Sequence, residues 1–192
     1  MANAKSAPDL REFLKEHDQK LYDFCFYMLD GGYLAEEIIL AAFRDFASVY
    51  RRLTSRRAGD WDPKDARIQL FQTAWSRIRE ALVRVQYQGS MGRDTRLFRS
   101  LDGDILGQWG SSRQDVAAVE AAVVERLGRV DADYRAPIVL RDVLGFDDEE
   151  VVQILGVRWG VFRHRLHRGR LELKDGLKGQ APTPPTTEAR RR

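Results

Sequence analysis

A dense group of basic side chains lies between residues 156 and 173, in the stretch GVRWGVFRHRLHRGRLEL. It holds five arginines and two histidines, and its first acidic residue is Glu172. Guanidinium groups pair with phosphates, and they also make two parallel hydrogen bonds to the O6 and N7 atoms of guanine. This stretch therefore predicts contact with a nucleic acid. The alternative interpretation is a basic helix that binds another protein.

A helix–turn–helix is predicted to hold this stretch, in the segment FDDEEVVQILGVRWGVFRHRLHRG. Asp147 can cap the first helix, and Glu150 three residues later completes a capping-box pattern. Gly156 follows Leu155 at a position where a left-handed backbone conformation favours glycine. A basic second helix behind such a turn can lie in the major groove of DNA.

The second helix is expected to divide its side chains between an inner face and a DNA-contacting face. The inner face would consist of Trp159, Phe162, Leu166 and Leu173. The candidate DNA-contacting residues are Arg158, Arg163, His164, Arg165, Arg168 and Arg170. Because the N-terminal half of such a helix enters the groove, Arg158, Arg163 and His164 are expected to read bases. Arg168 and Arg170 lie further along the helix and are expected to meet phosphates.

Charge alternates along the chain, although the formal net charge is only +3. Acidic side chains outnumber basic ones in residues 1–50 and 100–150, and the reverse holds in residues 51–99 and 151–192. A single basic block is readily explained as a solvated helical surface. Two separate basic blocks favour two separate contacts with a polyanion.

We expect no catalytic site, no metal and no cofactor. His164 and His167 have the spacing of a ligand pair on a helix, but the arginines around them would repel a cation. Glu36 and Glu37 are adjacent, so on a helix they point about 100° apart and form an exposed acidic edge. Cys25 lies in an apolar helix, where burial is expected rather than a redox role. An enzyme is therefore the least favoured class of function.

Membrane insertion is not expected, because no apolar run is long enough to span a bilayer. The stretch MANAKSAPDLREF lacks the apolar segment of a signal peptide. With a single cysteine there is no disulfide framework, so we expect a cytoplasmic location.

Helical periodicity runs through the chain, and an all-α fold of two small helical domains is predicted. Three long helices would form a first domain over residues 8–87, with a third-helix stripe of Ile68, Phe71, Trp75, Ile78, Leu82 and Val85. Residues 88–114, rich in glycine and serine, are predicted to be a linker. Four helices over residues 115–178 would form the second domain. The tail, residues 179–192, is predicted to be disordered.

The segment VERLGRVDADYRAPIVLRDVLGFDDEEVVQILGVRWGVFRHRLHRGRLEL resembles region 4 of the extracytoplasmic function sigma factors. The matching residues are Leu127, Tyr134, Arg135, Leu140, Arg141, Gly145, Glu150, Leu155, Gly156, Val157, Gly160, Arg165, Leu166, His167, Arg168 and Arg170. The resemblance implies that the helix–turn–helix reads a −35 promoter element.

Two earlier segments resemble region 2 of the same family. YLAEEIILAAFRDFASVYRRL, residues 33–53, resembles its polymerase-binding helix, and the resemblance assigns that contact to Glu36, Glu37 and Leu40. ARIQLFQTAWSRIREALVR, residues 66–84, resembles the helix that handles the −10 element and promoter melting. The residues assigned to that contact are Trp61, Arg67, Arg77, Arg79 and Arg84. For Trp61 the alternative is anchoring of its loop, and for Trp75 we expect packing in the core.

The chain departs from the family pattern at several positions. In the region 2 segments, Leu40 stands for the usual Gln, Ser76 for Asn and Glu80 for Asp. In the helix–turn–helix, Val152 replaces a small Ala, Val161 replaces a phosphate-contacting Thr, and His164 replaces a Ser. The lost hydroxyl groups remove polar phosphate contacts, and His164 can replace one of them.

The resemblance implies a sigma factor that directs core RNA polymerase to specific promoters by recognising −10 and −35 elements. The implied partners are core RNA polymerase and promoter DNA, with an anti-sigma factor as a further candidate. The departures motivate an alternative: a sigma-like protein that binds polymerase or an anti-sigma factor without directing initiation. The sequence leaves open the promoter sequence, the inducing signal and the oligomeric state.

Overall fold

The computed structural model describes residues 9–29, 32–55, 61–89 and 123–178. Every regular element in these ranges is helical, so the predicted all-α fold is confirmed. The tail at 179–192 and all but the first two residues of the expected linker at 88–114 lie outside the described residues. None of the described helices is both long enough and apolar enough to span a bilayer.

Three long helices form the N-terminal group: α1 (Leu10–Leu29), α2 (Gly32–Thr54) and α3 (Pro63–Gly89). Each buries a stripe of side chains three or four residues apart, as its sequence period requires. In α1 the stripe is Phe13, His17, Leu21, Phe24, Cys25 and Met28. The ring of Phe24 lies 5.8 Å from that of Phe71 and 6.3 Å from that of Trp75, both on α3. Trp75 is only 5% exposed, which confirms its expected place in the core.

The C-terminal group begins with a helix at residues 123–129, here α4, followed by α5 (Ala132–Ile138). Asp131 caps α5 by accepting a hydrogen bond from the backbone N–H of Asp133 at 2.9 Å. Pro137 lies inside α5 and has no N–H to donate, which removes one hydrogen bond of the helical ladder. The chain then continues as a π-helical turn, Val139–Val143, closed by the bond from the N–H of Leu144 to the carbonyl of Val139.

The predicted helix–turn–helix consists of α6 (Asp148–Leu155) and α7 (Trp159–Lys178). Asp147 caps α6 by accepting from the N–H of Glu150, and the Glu150 carboxylate accepts from the N–H of Asp147 in return, which confirms the capping box. Gly156 ends α6 with φ 65°, a left-handed conformation that disfavours other residues.

The two helical groups share one continuous core. The ring of Phe71 on α3 meets the ring of Phe146, just before α6, at 4.7 Å and 65°. Arg135 on α5 is buried and donates to the carbonyls of Tyr27 and Met28, at 3.2 and 3.4 Å. These carbonyls belong to the last turn of α1, which has no basic residue of its own, so a guanidinium from the other group caps it.

Two glycines of α7 predict opposite responses to the same substitution. A methyl group at Gly169 would lie 2.6 Å from the carbonyl oxygen of Tyr134 and 2.8 Å from Ile138 Cδ1, both on α5. Gly169→Ala should therefore force α5 and α7 apart and destabilise the protein by about 1–3 kcal/mol. At Gly160 nothing lies within 4 Å, so Gly160→Ala should be neutral or stabilise by up to about 1 kcal/mol through helix propensity.

Urea unfolding followed by circular dichroism measures both effects, with Gly160→Ala as the matched control. Equal stability of the two variants would contradict the close crossing of α5 and α7.

Candidate nucleic-acid interface

Helix α7 carries most of the basic stretch at residues 156–173. Phe162, Leu166 and Gly169 are its buried positions in the middle of the helix. They lie at spacings of four and three residues and hold α7 mainly against α5. Of the candidate DNA-contacting residues, Arg165 is half-buried and the rest are exposed: Arg158, Arg163, His164, Arg168 and Arg170.

Trp159 is not part of the inner face, so that expectation was wrong. Its side chain is 45% exposed, and its ring stands edge-on to Phe162 at 5.9 Å and 81°. Trp159 is the first residue of α7, and Phe162 one turn later takes the innermost position, so the indole covers only the edge of that ring. Arg163 places its guanidinium 5.8 Å from the centre of the indole, a cation–π contact that restricts the arginine.

Ion pairs separate the arginines and histidines of residues 158–170 into two sets. Arg165 pairs with Asp133 at 2.6 Å, Arg168 with Glu172 at 3.1 Å, and Arg170 with Asp142 at 2.5 Å. Within the described residues, no ion pair holds the second set, which is Arg158, Arg163, His164 and His167. Because exposed ion pairs contribute about 0–1 kcal/mol, the paired arginines can exchange a carboxylate for another anion at little cost.

The unpaired Arg158, Arg163 and His164 lie at the beginning of this stretch and the paired Arg168 and Arg170 lie toward its end, with paired Arg165 and unpaired His167 between them. This division parallels the expected division between base readers and phosphate contacts. His164 also stands edge-on to Tyr134 at 6.4 Å, on the same side of the domain as Gly160 and Val161. Val161 stands where the family pattern has a threonine. Its side chain is 42% exposed, so this part of the surface is apolar.

The cations of α3 form the second candidate surface. Arg79 and Arg84 are exposed, and no ion pair holds either of them within the described residues. Arg77 is held by two acids, with Nε 2.6 Å from Asp45 and Nη1 3.0 Å from Glu80. Arg79 and Arg84 are therefore the members of this set that are open to a polyanion.

Trp61 lies in the loop before α3 and is half-buried. Its ring meets Tyr50 at 5.3 Å and Phe13 at 6.0 Å, both in edge-to-face arrangements. These contacts are those of a residue that anchors its loop to α1 and α2.

Arg67 is the remaining candidate on α3, and it forms an ion pair with Glu150 of α6. Glu150 is 3% exposed, so this contact joins the two helical groups in a buried place. Nearby, Lys64 pairs with Asp147 at 3.1 Å, and Gln72 donates to the carbonyl of Gln153 at 2.8 Å. Sequence reasoning missed this contact, although the alternation of basic and acidic blocks was a signal for it.

The residues assigned to polymerase binding lie together on α2. Leu40 is 63% exposed, and Glu36 and Glu37 are exposed on the preceding turn. Leu40 therefore does not join the core. A shallow groove beside it is lined by Asp18, Gln19, Tyr22, Glu36, Ile39 and Leu40, so an apolar centre is surrounded by acids.

No protein-family model matches the chain. The ECF RNA polymerase sigma factor SigE of Mycolicibacterium smegmatis is 26% identical over 175 residues, which cover 88% of this chain and 62% of SigE. The sequence of the chain is thus similar to that of an extracytoplasmic function sigma factor. The chain spans less than two thirds of the length of the curated relative that it matches.

Two solved structures share the fold. One is CnrH in complex with the cytosolic domain of CnrY, with a TM-score of 0.54 and 18% identity over 90% of this chain and 89% of that one. The other is the sigma factor RpoE in complex with the anti-sigma factor NepR from Bartonella quintana, with a TM-score of 0.56 and 21% identity over 91% and 100%. The fold of these sigma factors is therefore the fold of this chain.

No cluster of three potential metal ligands occurs among the described residues. Cys25 is buried, and burial raises the pKa of its thiol to about 12. A thiol with that pKa stays protonated at neutral pH, so the interpretation of Cys25 as a packing residue is confirmed.

The carboxylate of Asp147 provides a test of the contact between α3 and α6. The N–H of Glu150 and, secondly, the ammonium of Lys64 hold the pKa of Asp147 below its ordinary value of 3.8. Lys64→Gln should raise this pKa, yet leave it below 3.8, because the backbone donor remains. Since the folded-state pKa is depressed, the stabilisation is present above pH 3.8 and is lost as the pH falls through the folded value.

Carbon-detected NMR titration of the Asp147 carboxyl measures the pKa directly. The exposed Lys174, on α7, supplies the control variant Lys174→Gln, which should leave Asp147 unchanged. An identical pKa in Lys64→Gln and in the parent protein would contradict the ion pair.

Proposed function

We propose that this protein is a sigma factor that directs core RNA polymerase to specific promoters. The observation that carries the proposal is the outer face of α7, the second helix of a helix–turn–helix, where Arg163, His164 and His167 are exposed, together with the exposed Arg158 just before the helix. Such a helix can enter the major groove with its N-terminal end, which is where Arg158, Arg163 and His164 lie. The similarity to the sigma factor SigE supports promoter DNA as the target of this helix.

Helix α3 is proposed to contact the −10 region and the melted strand. Arg79 and Arg84 are exposed for contact with phosphates, and Arg77 can join them by leaving its carboxylate partners. Trp61 is proposed to act there by holding the loop before α3, because its ring is packed against Tyr50 and Phe13.

Helix α2 is proposed to bind core polymerase through Glu36, Glu37 and Leu40. An exposed leucine between acidic residues lowers solubility and adds nothing to the core. Binding of a protein partner would bury this side chain and so explain its presence. The partner surface that fits this patch has an apolar depression surrounded by basic groups.

The second candidate function is a sigma-like protein that binds polymerase or an anti-sigma factor without initiating transcription. It is favoured by the aliphatic side chain of Val161, where a phosphate-contacting hydroxyl would lie. The similarity to RpoE bound to its anti-sigma factor NepR makes an anti-sigma factor a candidate partner under both proposals.

Transcription in vitro with core polymerase and a library of genomic fragments separates the two functions. Reproducible start sites that depend on this protein support the sigma function. Binding of polymerase in the same reactions without any specific start site supports the second function and overturns the first.

The polymerase surface leads to a prediction about α2. Leu40→Arg combined with Glu36→Lys should weaken binding to core polymerase at least about tenfold, because it inserts two cations where basic groups are expected. Both side chains are exposed, so the helical circular dichroism signal should not change.

Surface plasmon resonance with immobilised core polymerase measures the affinity. Val83 on α3 is also an exposed apolar residue, 52% exposed, and Val83→Arg serves as the control for adding a cation. Unaltered polymerase affinity in the folded double variant would reject the assignment of this surface.

The two sets of cations on α7 lead to a prediction about DNA. Arg163→Ala should cost roughly 1–3 kcal/mol on the preferred duplex only, because it removes a base contact. Arg168→Ala should weaken binding to all duplexes about equally and lower the salt slope by about one unit, because it removes a phosphate contact.

Fluorescence anisotropy on selected and scrambled duplexes at several salt concentrations measures both quantities. The ratio of specific to non-specific affinity should collapse in Arg163→Ala and persist in Arg168→Ala. If the parent protein shows neither sequence preference nor salt dependence, α7 does not read DNA.

A further inference from the structure

We propose that Trp159 is a specificity-determining residue, which holds the guanidinium of Arg163 in place for reading guanine. Trp159 is the first residue of α7, and this end of such a helix enters the major groove. The indole acts through Arg163, so it is a positioning residue for base recognition. This role rests on the proposed function, because it concerns how α7 recognises DNA.

The indole of Trp159 is itself held in place by Phe162. Phe162 is completely buried, and its ring meets that of Trp159 at 5.9 Å and 81°. Aromatic rings attract each other in this edge-to-face arrangement. Trp159 nevertheless stays 45% exposed, although it is a large apolar residue. The buried neighbour therefore limits the motion of the indole and leaves much of its surface free for a second contact.

Arg163 makes this second contact one helical turn later. Residues four positions apart lie on the same face of a helix, and the guanidinium of Arg163 lies 5.8 Å from the centre of the indole. Among aromatic side chains, tryptophan attracts a cation most strongly in this way. In the part of the chain that the structure describes, no ion pair holds Arg163, so the indole is what restrains its exposed guanidinium.

The kind of partner decides what an arginine is still able to bind. Arg165, Arg168 and Arg170 donate N–H groups to carboxylates, and those donors must be released before they bind anything else. An aromatic ring attracts the cation without accepting its ordinary hydrogen bonds, so the donor fork of Arg163 stays available. Guanine requires this fork, because its O6 and N7 atoms accept two parallel bonds. Arg163 is thus restrained but unoccupied.

Restraint of Arg163 in the free protein favours the correct base. A long side chain loses rotamer freedom when it is fixed at an interface, and in a preorganised arginine part of this loss has already occurred. The advantage applies to an oriented pair of bonds with a base, whereas contacts with phosphates carry no sequence information. Removing the indole should therefore weaken binding to the preferred duplex and leave binding to other duplexes unchanged.

The test compares variants of the full chain. Trp159→Leu removes the ring but keeps an apolar neighbour for Phe162, and Trp159→Phe restores a smaller ring. Leu171→Ala, at another exposed apolar residue of α7, is the control for truncating a surface side chain. The probe is a duplex that the parent protein selects from a random pool, compared with a scrambled duplex. Each guanine of the selected duplex is replaced in turn by deazaguanine, which lacks the N7 acceptor.

Fluorescence anisotropy measures the ratio of selected to scrambled affinity. One deazaguanine replacement should weaken binding of the parent but not of Arg163→Ala. Trp159→Leu should lower the ratio about two- to fivefold, as expected for an exposed cation–π contact, and Trp159→Phe should recover part of it. Leu171→Ala should behave like the parent. In the Arg163→Ala background, Trp159→Leu should change the ratio no further, because the arginine through which the indole acts is absent.

Nuclear magnetic resonance of the free protein checks the contact without DNA. The ring current of the indole should shift the side-chain resonances of Arg163, which are assigned by their loss in Arg163→Lys. Trp159→Leu should remove this shift, and Leu171→Ala should preserve it. Arg163 resonances that are the same in Trp159→Leu and in the parent would refute the contact on which the positioning role depends.

The DNA measurements can also reject the positioning role while the proposed function stands. This is the outcome if the parent selects a duplex but Trp159→Leu keeps the full ratio, or if no deazaguanine position depends on Arg163. An equal loss with and without Arg163 would mean that the indole contacts DNA by itself, and a uniform loss on both duplexes would indicate a structural role only. If the parent selects no duplex, reading of DNA by α7 fails and the positioning role fails with it.

Discussion

The buried carboxylate of Glu150 is the interaction on which the rest of the structure depends. It accepts the N–H of Asp147 and thereby completes the cap of α6, and it also neutralises Arg67 of α3. A carboxylate that is 3% exposed requires such partners, because an isolated buried charge is strongly destabilising. One side chain therefore links the start of the helix–turn–helix to the packing of the two helical groups.

Charge in this protein is used in two ways that follow from burial. Where cations are exposed, as in Arg168 and Arg170, their carboxylate partners fix the side chains only weakly and can be exchanged. Where the carboxylate is buried, as Glu150 is beside Arg67, the ion pair is part of the fold. Within one basic block of the sequence, some residues can thus form a ligand-binding surface while others make contacts inside the fold.

Several features of the fold could be predicted because they depend on residues close together in sequence. The stripe of α3 placed Phe71, Trp75 and Ile78 in the core, and all three are buried. The capping box at Asp147 and the left-handed Gly156 were predicted from residue types a few positions apart. Trp159 was wrongly predicted to lie on the inner face of α7. The helical period specifies which face of the helix a residue occupies, but not whether another element packs over that position.

The sequence by itself determined the helices, their ends and the set of cations, since each of these follows from interactions within one or two turns. Only the tertiary structure decided which cations are available. Lys64 and Arg67 find their acids 83 residues away, and Arg135 finds the end of α1 more than 100 residues away. The pairing of distant charges depends on how the helical groups pack, which the periodicity of each helix does not specify. The tertiary contacts thus separate Arg163 and Arg84, which are exposed, from Arg67, which is half-buried between Phe146 and the carboxylate of Glu150.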